Sequence, residues 1–143
     1  MDDLDRSILA LLGADARMSV ATLARRVKVA RSTIQARLER LETSGVIAGY
    51  TVKLGEAARQ GRIRATVLLT IEPRSQANVL SRLKALAPVE RIHTTSGRVD
   101  LLLQVAAAST AALDEVLDQI GEMTGVRSSE SLIHLATKLD RAV

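Results

Sequence analysis

No cysteine, phenylalanine or tryptophan occurs in the 143 residues, and Tyr50 is the single aromatic. The missing thiols exclude disulfides and thiolate metal sites, and they leave the redox compartment open. The missing rings leave an aliphatic core. No apolar run approaches the roughly 20 residues that a membrane helix needs. The chain opens Met1-Asp2-Asp3, acidic where a secretion signal would be basic, so a cytoplasmic protein without membrane contact is expected. His93 and His134 are the only histidines. They stand alone, without metal-ligand spacing or an acid–base partner in sequence. No glycine-rich phosphate loop or nucleophile motif appears. These absences argue against an enzyme, a catalytic residue, a metal site and a bound cofactor.

What is present is apolar material and an uneven charge. Hydrophobic residues make up 47% of the chain, enough for a sizeable core or for two small ones. Residues 1–63 carry eleven Lys/Arg against seven Asp/Glu, whereas residues 64–143 carry nine of each. Within residues 17–40 seven basic side chains face Glu39 alone. A local excess of this kind is the electrostatic footprint of a polyanion partner, and it also describes an ordinary solvated helical face.

Periodicity divides those readings. Leu4, Ile8, Leu11 and Leu12 recur at helical spacing after Asp2 and Asp3, and Gly13 closes the helix. Ser19 opens a short second helix with Leu23 and Val27 inward. A turn at Lys28-Val29-Ala30 leads to a third helix from Arg31 to Ser44, stopped by Gly45. A leading helix followed by two short helices about a tight turn is a helix-turn-helix. On the third helix Ile34, Leu38 and Leu41 form the inner stripe. The outer side then carries Arg31, Ser32, Thr33, Gln35 and Ala36. Gln pairs with adenine, Arg with guanine, and a small apolar group meets the thymine methyl, as a major-groove reading helix requires. Arg37 and Arg40 point sideways and suit phosphate contacts. Beyond Gly45, the β-branched run Val46 to Leu54 with Gly49 suggests two short strands and a turn, a wing.

The string Leu4-Asp5, Ile8-Leu9, Asp15-Ala16-Arg17, Leu23-Ala24, Ser32-Thr33-Ile34, Arg37 to Glu42 and Gly45 to Tyr50 resembles the leucine-responsive and asparagine-responsive (Lrp/AsnC, feast/famine) regulators. The resemblance implies a DNA-binding transcriptional regulator. The family commonly places Ser just before the recognition helix, where this chain has Ala30. That change weakens the N-cap by ~1 kcal/mol unless Ser32 or a neighbour substitutes.

Residues 55–63 lack apolar periodicity and hold Gly55 and Gly61, so they are read as a hinge between a DNA-binding domain, 1–54, and a second domain, 64–143. In the second domain strands are expected at 65–71, 89–95, 100–106 and 126–135, with helices at 76–87 and 110–124. The order βαββαβ is the ferredoxin-like arrangement, which makes the whole chain α+β. Its antiparallel sheet has helices on one face only. Leu101-Leu102-Leu103 is apolar on both strand faces, so the open face is expected to be buried by another copy. A homodimer or larger even-numbered assembly follows. This half also resembles the family's ligand-sensing domain, through Val89, Gly97-x-x-Asp100-Leu101-Leu102, and Gly125-Val126 with Ser129 and Ser131. The resemblance implies an amino-acid effector held at a subunit interface by Gly97, Arg98, Asp100, Ser129 and Ser131. Gly97 would let the backbone approach closely, Asp100 would accept from an α-ammonium, and the serines would bond a carboxylate. Arg98 stands in a turn where the family often has an acidic residue. The competing expectation is an architectural DNA-coating protein with little sequence preference and little ligand response.

Overall fold

The computed structural model describes residues 1–59 and 61–141. They form two compact units, Met1–Lys53 and Leu54–Asp140.

The first unit is three helices, α1 (Asp3–Ala14), α2 (Val20–Val27) and α3 (Arg31–Thr43). Asp2 caps α1 by accepting from the Asp5 amide, and the Asp5 carboxylate accepts from the Asp2 amide, a reciprocal capping box. Helix α1 runs past Gly13 to Ala14 and closes on Asp15. Ser19 caps α2 through the Thr22 amide. The turn between α2 and α3 places Lys28 at φ +59, in the left-handed region that costs an L-residue about 1–2 kcal/mol. Ile8, Leu23, Ala24, Ile34 and Leu41 form the core, with Leu38 and Ile47 packed against it.

The wing departs from expectation. Residues 46–54 contain no strand among the described residues. After α3 the chain folds back through the Ile47 amide to the Leu41 carbonyl and through the Tyr50 hydroxyl to Glu42. Its β-branched side chains favour extended backbone, but propensity supplies no partner strand, and Val46, Tyr50, Val52 and Leu54 are exposed.

The second unit contains a helical turn, α4 (Glu56–Arg59), then β1 (Ile63–Ile71), α5 (Gln76–Lys84), β2 (Val89–Thr94), β3 (Leu101–Ala107), α6 (Thr110–Gly121) and β4 (Val126–Ile133). All pairings are antiparallel and the sheet order is β2-β3-β1-β4, the ferredoxin-like topology. Pro73 ends β1 and opens a short 3-10 turn before α5. The expected hinge, 55–63, thus holds α4 and the first residue of β1.

Alternation sorts the two sheet faces. Ala65, Val67, Leu69 and Ile71 of β1 and Leu101, Leu103, Val105 and Ala107 of β3 are buried. They pack with Val79 and Leu83 of α5 and Leu113, Val116 and Ile120 of α6. Each Val, Leu or Ile side chain among them, fully withdrawn from water, contributes about 1.5–3 kcal/mol. The other face carries Thr66, Leu68, Leu102, Gln104, Glu130 and Leu132, by the register Leu68↔Leu102, Leu68↔Glu130 and Thr66↔Leu132. Leu132 is half exposed.

Candidate nucleic-acid interface and effector region

Helix α3 turns Ile34 and Leu41 inward, and Arg31, Ser32, Gln35 and Ala36 are exposed on it. Thr33 is half-buried. The side chains expected to face a groove therefore lie in solvent at the N-terminal end of the helix. Ala30 is the N-cap, at φ −69 and ψ 152, and makes no side-chain cap bond. Ser32 does not substitute for it. The first turn of α3 consequently keeps backbone N–H groups directed outward, where an anion is favoured. Arg25, Arg26 and Lys28 are exposed on α2 and the turn.

Arg37 and Arg40 are placed differently from expectation. Asp5 is fully buried, and a buried carboxylate needs a compensating charge. Arg37 Nη1 donates to Asp5 Oδ1 at 3.1 Å and also to Asp2 Oδ2. Arg40 Nη2 donates to Asp5 Oδ2 at 2.7 Å. Both arginines clamp the start of α1 onto α3. The Arg37 side chain is only 25% exposed, and its Nη1 is engaged by the two carboxylates. Arg40 keeps 58% exposure, and part of its fork remains accessible. The hydrogen bond from Arg37, helped by the Asp5 amide, holds the Asp2 carboxyl down at about 2. Burial would raise the Asp5 carboxyl. The Asp2 amide, Arg37 and Arg40 together outweigh burial and keep it below its ordinary value. The same contacts raise Arg37. Burial, followed by the bond to Glu42, raises the Tyr50 hydroxyl. The spacing of Asp5 from Asp2, three residues on, is the sequence signal of this capping box.

In the second unit the hairpin between β2 and β3 closes through the Thr95 amide to the Asp100 carbonyl at 3.0 Å. Gly97 sits at φ +107, and a Cβ there would meet nothing within 4 Å. Its glycine is required by conformation. Asp100 also has a task the sequence did not disclose. Its Oδ2 accepts from the Ile71 amide at 2.7 Å, and its own amide donates to the Leu69 carbonyl at 2.8 Å. It ties the hairpin to the end of β1, so one carboxylate oxygen is already occupied. Arg98 is exposed and pairs with Glu130 at 3.2 Å. Ser129 and Ser131 are exposed on β4, opposite Leu69 and Val67. They share the helix-covered face, at its edge, whereas Glu130 takes the open face. Arg98 thus meets β4 at Glu130 on the open face, whereas Ser129 and Ser131 take the helix-covered one, and Asp100 is tied to the end of β1.

Comparison with known proteins agrees with this architecture. A model of the AsnC-type helix-turn-helix domain matches residues 1–42, and a model of the Lrp/AsnC ligand binding domain matches residues 64–143. The HTH-type transcriptional regulator LrpA of Mycobacterium tuberculosis is 31% identical over 134 residues, covering 93% of this chain and 89% of that protein. The structure of E. coli AsnC matches with a TM-score of 0.90 at 27% identity, over 100% of this chain and 97% of that one. A feast or famine regulatory protein from M. tuberculosis, complexed with L-methionine, matches at 0.85 and 32% identity, over 97% and 95%. These relatives are regulators of transcription and not enzymes. With both halves matched, the chain belongs to the Lrp/AsnC family of transcriptional regulators, carrying a helix-turn-helix domain and a ligand-binding domain.

Proposed function

We propose that this regulator binds DNA with sequence preference by laying the Arg31, Ser32, Gln35 and Ala36 side of α3 into the major groove. The observation that carries the reading is the exposure of those side chains on a helix whose leucines anchor it. Thr33 reaches the groove at the margin, and its methyl suits a thymine. Arg25, Arg26, Lys28 and the accessible part of Arg40 contact phosphates, while Arg37 serves the clamp. Residues 55–63 act as the hinge to an effector-sensing domain, 64–143.

The open sheet face, with Leu68 and Leu102 at its centre and Leu132 on the edge strand beside them, pairs with a second copy and gives an even-numbered assembly. An amino acid bound between subunits, near Gly97, Arg98, Asp100, Ser129 and Ser131, shifts the placement of paired reading helices and so changes DNA affinity. The L-methionine complex of a relative supports this reading. Arg98 favours an acidic or small ligand.

Selection of duplexes from a random pool, with and without an amino-acid panel, tests the proposal. A preferred, roughly palindromic site is expected, bound about 10³-fold or more tighter than random duplex. A ratio near unity at one stated salt concentration supports the coating role instead. A ligand of the folded state raises the melting temperature in the same panel.

A further inference from the structure

We propose that assembly of this protein is controlled by protons, through His93 and His134 on the open sheet face. This rests on the pairing of open faces proposed above and adds a regulator to it.

Strand register places both rings. His93 of β2 lies opposite Leu102 of β3, Leu102 opposite Leu68 of β1, and Leu68 opposite Glu130 of β4. One row across the open face therefore reads His93, Leu102, Leu68, Glu130. Direct neighbours in an antiparallel pair have Cβ atoms about 4.5–5.5 Å apart, so a copy that covers Leu102 also reaches the His93 ring. His134 follows β4, two residues beyond Leu132, and its amide extends the ladder by donating to the Arg64 carbonyl at 2.9 Å. Its ring meets the Thr66 hydroxyl at 2.7 Å, and Thr66 lies opposite Leu132 on the same face. These are the only histidines in the sequence, and both are exposed in the single subunit.

Imidazole is the side chain whose ordinary titration falls between about pH 5 and about pH 8. Neutral, it packs beside leucine. Charged, it resists withdrawal from water unless an opposite charge meets it. The neighbouring groups do not offer one freely. Arg64 and Arg91 share the open face, opposite Ala106 and Gln104, and are themselves cations. Of the nearby carboxylates, Glu90 pairs with Arg62 and Arg64, and Glu130 with Arg98. The bond between His134 and Thr66 does not fix the charge, because a hydroxyl both donates and accepts and can serve either form of the ring. The paired faces therefore hold fewer protons than the separated subunits, and association weakens as pH falls through the imidazole range. The Asp2 and Asp5 carboxyls are depressed below their ordinary value, so loss of the N-terminal clamp lies at lower pH than this transition. Acidification would separate the paired reading helices while each subunit stays folded.

The test is sedimentation velocity of the full chain at one ionic strength, from about pH 8 to about pH 5.5. The dimer dissociation constant should rise about tenfold or more over that range, with helical circular dichroism unchanged. His93→Gln and His134→Gln should each flatten the rise, and the double variant should abolish it. A wild-type constant that does not move with pH, or a rise that persists unchanged in the double variant, overturns the proposal and leaves the interface standing. Tighter association in acid, as a direct pair between His93 of one copy and Glu130 of another would give, overturns it as well. A wild-type chain that is monomeric even at about pH 8 overturns the interface itself, and this proposal with it.

Discussion

Asp5 carries its charge into the interior of the N-terminal unit and accepts three hydrogen bonds there, from the Asp2 amide, Arg37 and Arg40. Both Asp2 and Asp5 are held below their ordinary values. Groups depressed in the folded state stabilise it above their unfolded value, about 3.9, and that contribution is lost as pH falls through the folded one. The melting temperature of this unit should therefore drop steeply between about pH 4 and about pH 2. Asp5→Asn should melt several degrees lower at pH 7, because the arginines lose their counter-charge, and should show a flatter acid transition by circular dichroism. At the start of α3 the sign reverses. Ala30 already holds N-cap backbone geometry without a side-chain acceptor, so Ala30→Ser should stabilise by about 1 kcal/mol in a thermal or urea melt. Gly125 tolerates no such change. It sits at φ +98, and an added Cβ would lie 2.3 Å from Ser75 Cβ. Gly125→Ala should cost more than the about 1–2 kcal/mol of left-handed backbone alone, read as a lowered melting temperature of the second unit.

At the scale of elements, the three-helix order and the βαββαβ order were legible because each element carries its own period. Ile34, Leu38 and Leu41 on α3, and the alternation of β1, need no distant information to be read. Positions set by contact between elements were not legible. Helical phase puts Arg37 and Arg40 to the side of the exposed Ser32, Gln35 and Ala36, but it contains nothing about α1 crossing there, so it does not disclose their ion pairs with Asp2 and Asp5. The same holds for Asp100, whose partner Ile71 lies 29 residues away. In β4 a period of two put Ser129 and Ser131 together. Only the register against β1 shows which face they take. The wing strands are absent for a related reason, since extended propensity at Val46 to Leu54 supplies no pairing partner. For α3 as an element, Arg31→Ala should weaken specific binding, whereas Arg37→Ala should lower stability and leave the salt slope of DNA binding nearly unchanged. A slope reduced by about one unit in Arg37→Ala would return that residue to the phosphates.

At the scale of the whole molecule, the proposed assembly rests on the open sheet face. Leu68 and Leu102 are direct cross-strand neighbours there, and Leu132 lies one strand away. Placing a carboxylate among them opposes close contact between copies. The wild-type chain should scatter light as a dimer or larger even-numbered species, and Leu102→Glu should shift it toward monomer while retaining its helical circular dichroism. A wild-type chain that remains monomeric at every concentration would remove the shared interface and with it the proposed effector pocket. The most direct test of the central claim is a comparison of wild type with Gln35→Ala at one fixed salt concentration, against the selected duplex and a scrambled one. Loss of one bidentate base contact predicts a specificity ratio lowered by about 10-fold or more, with affinity for the scrambled duplex unchanged. An unaltered ratio would contradict the assignment of this helix face to the groove.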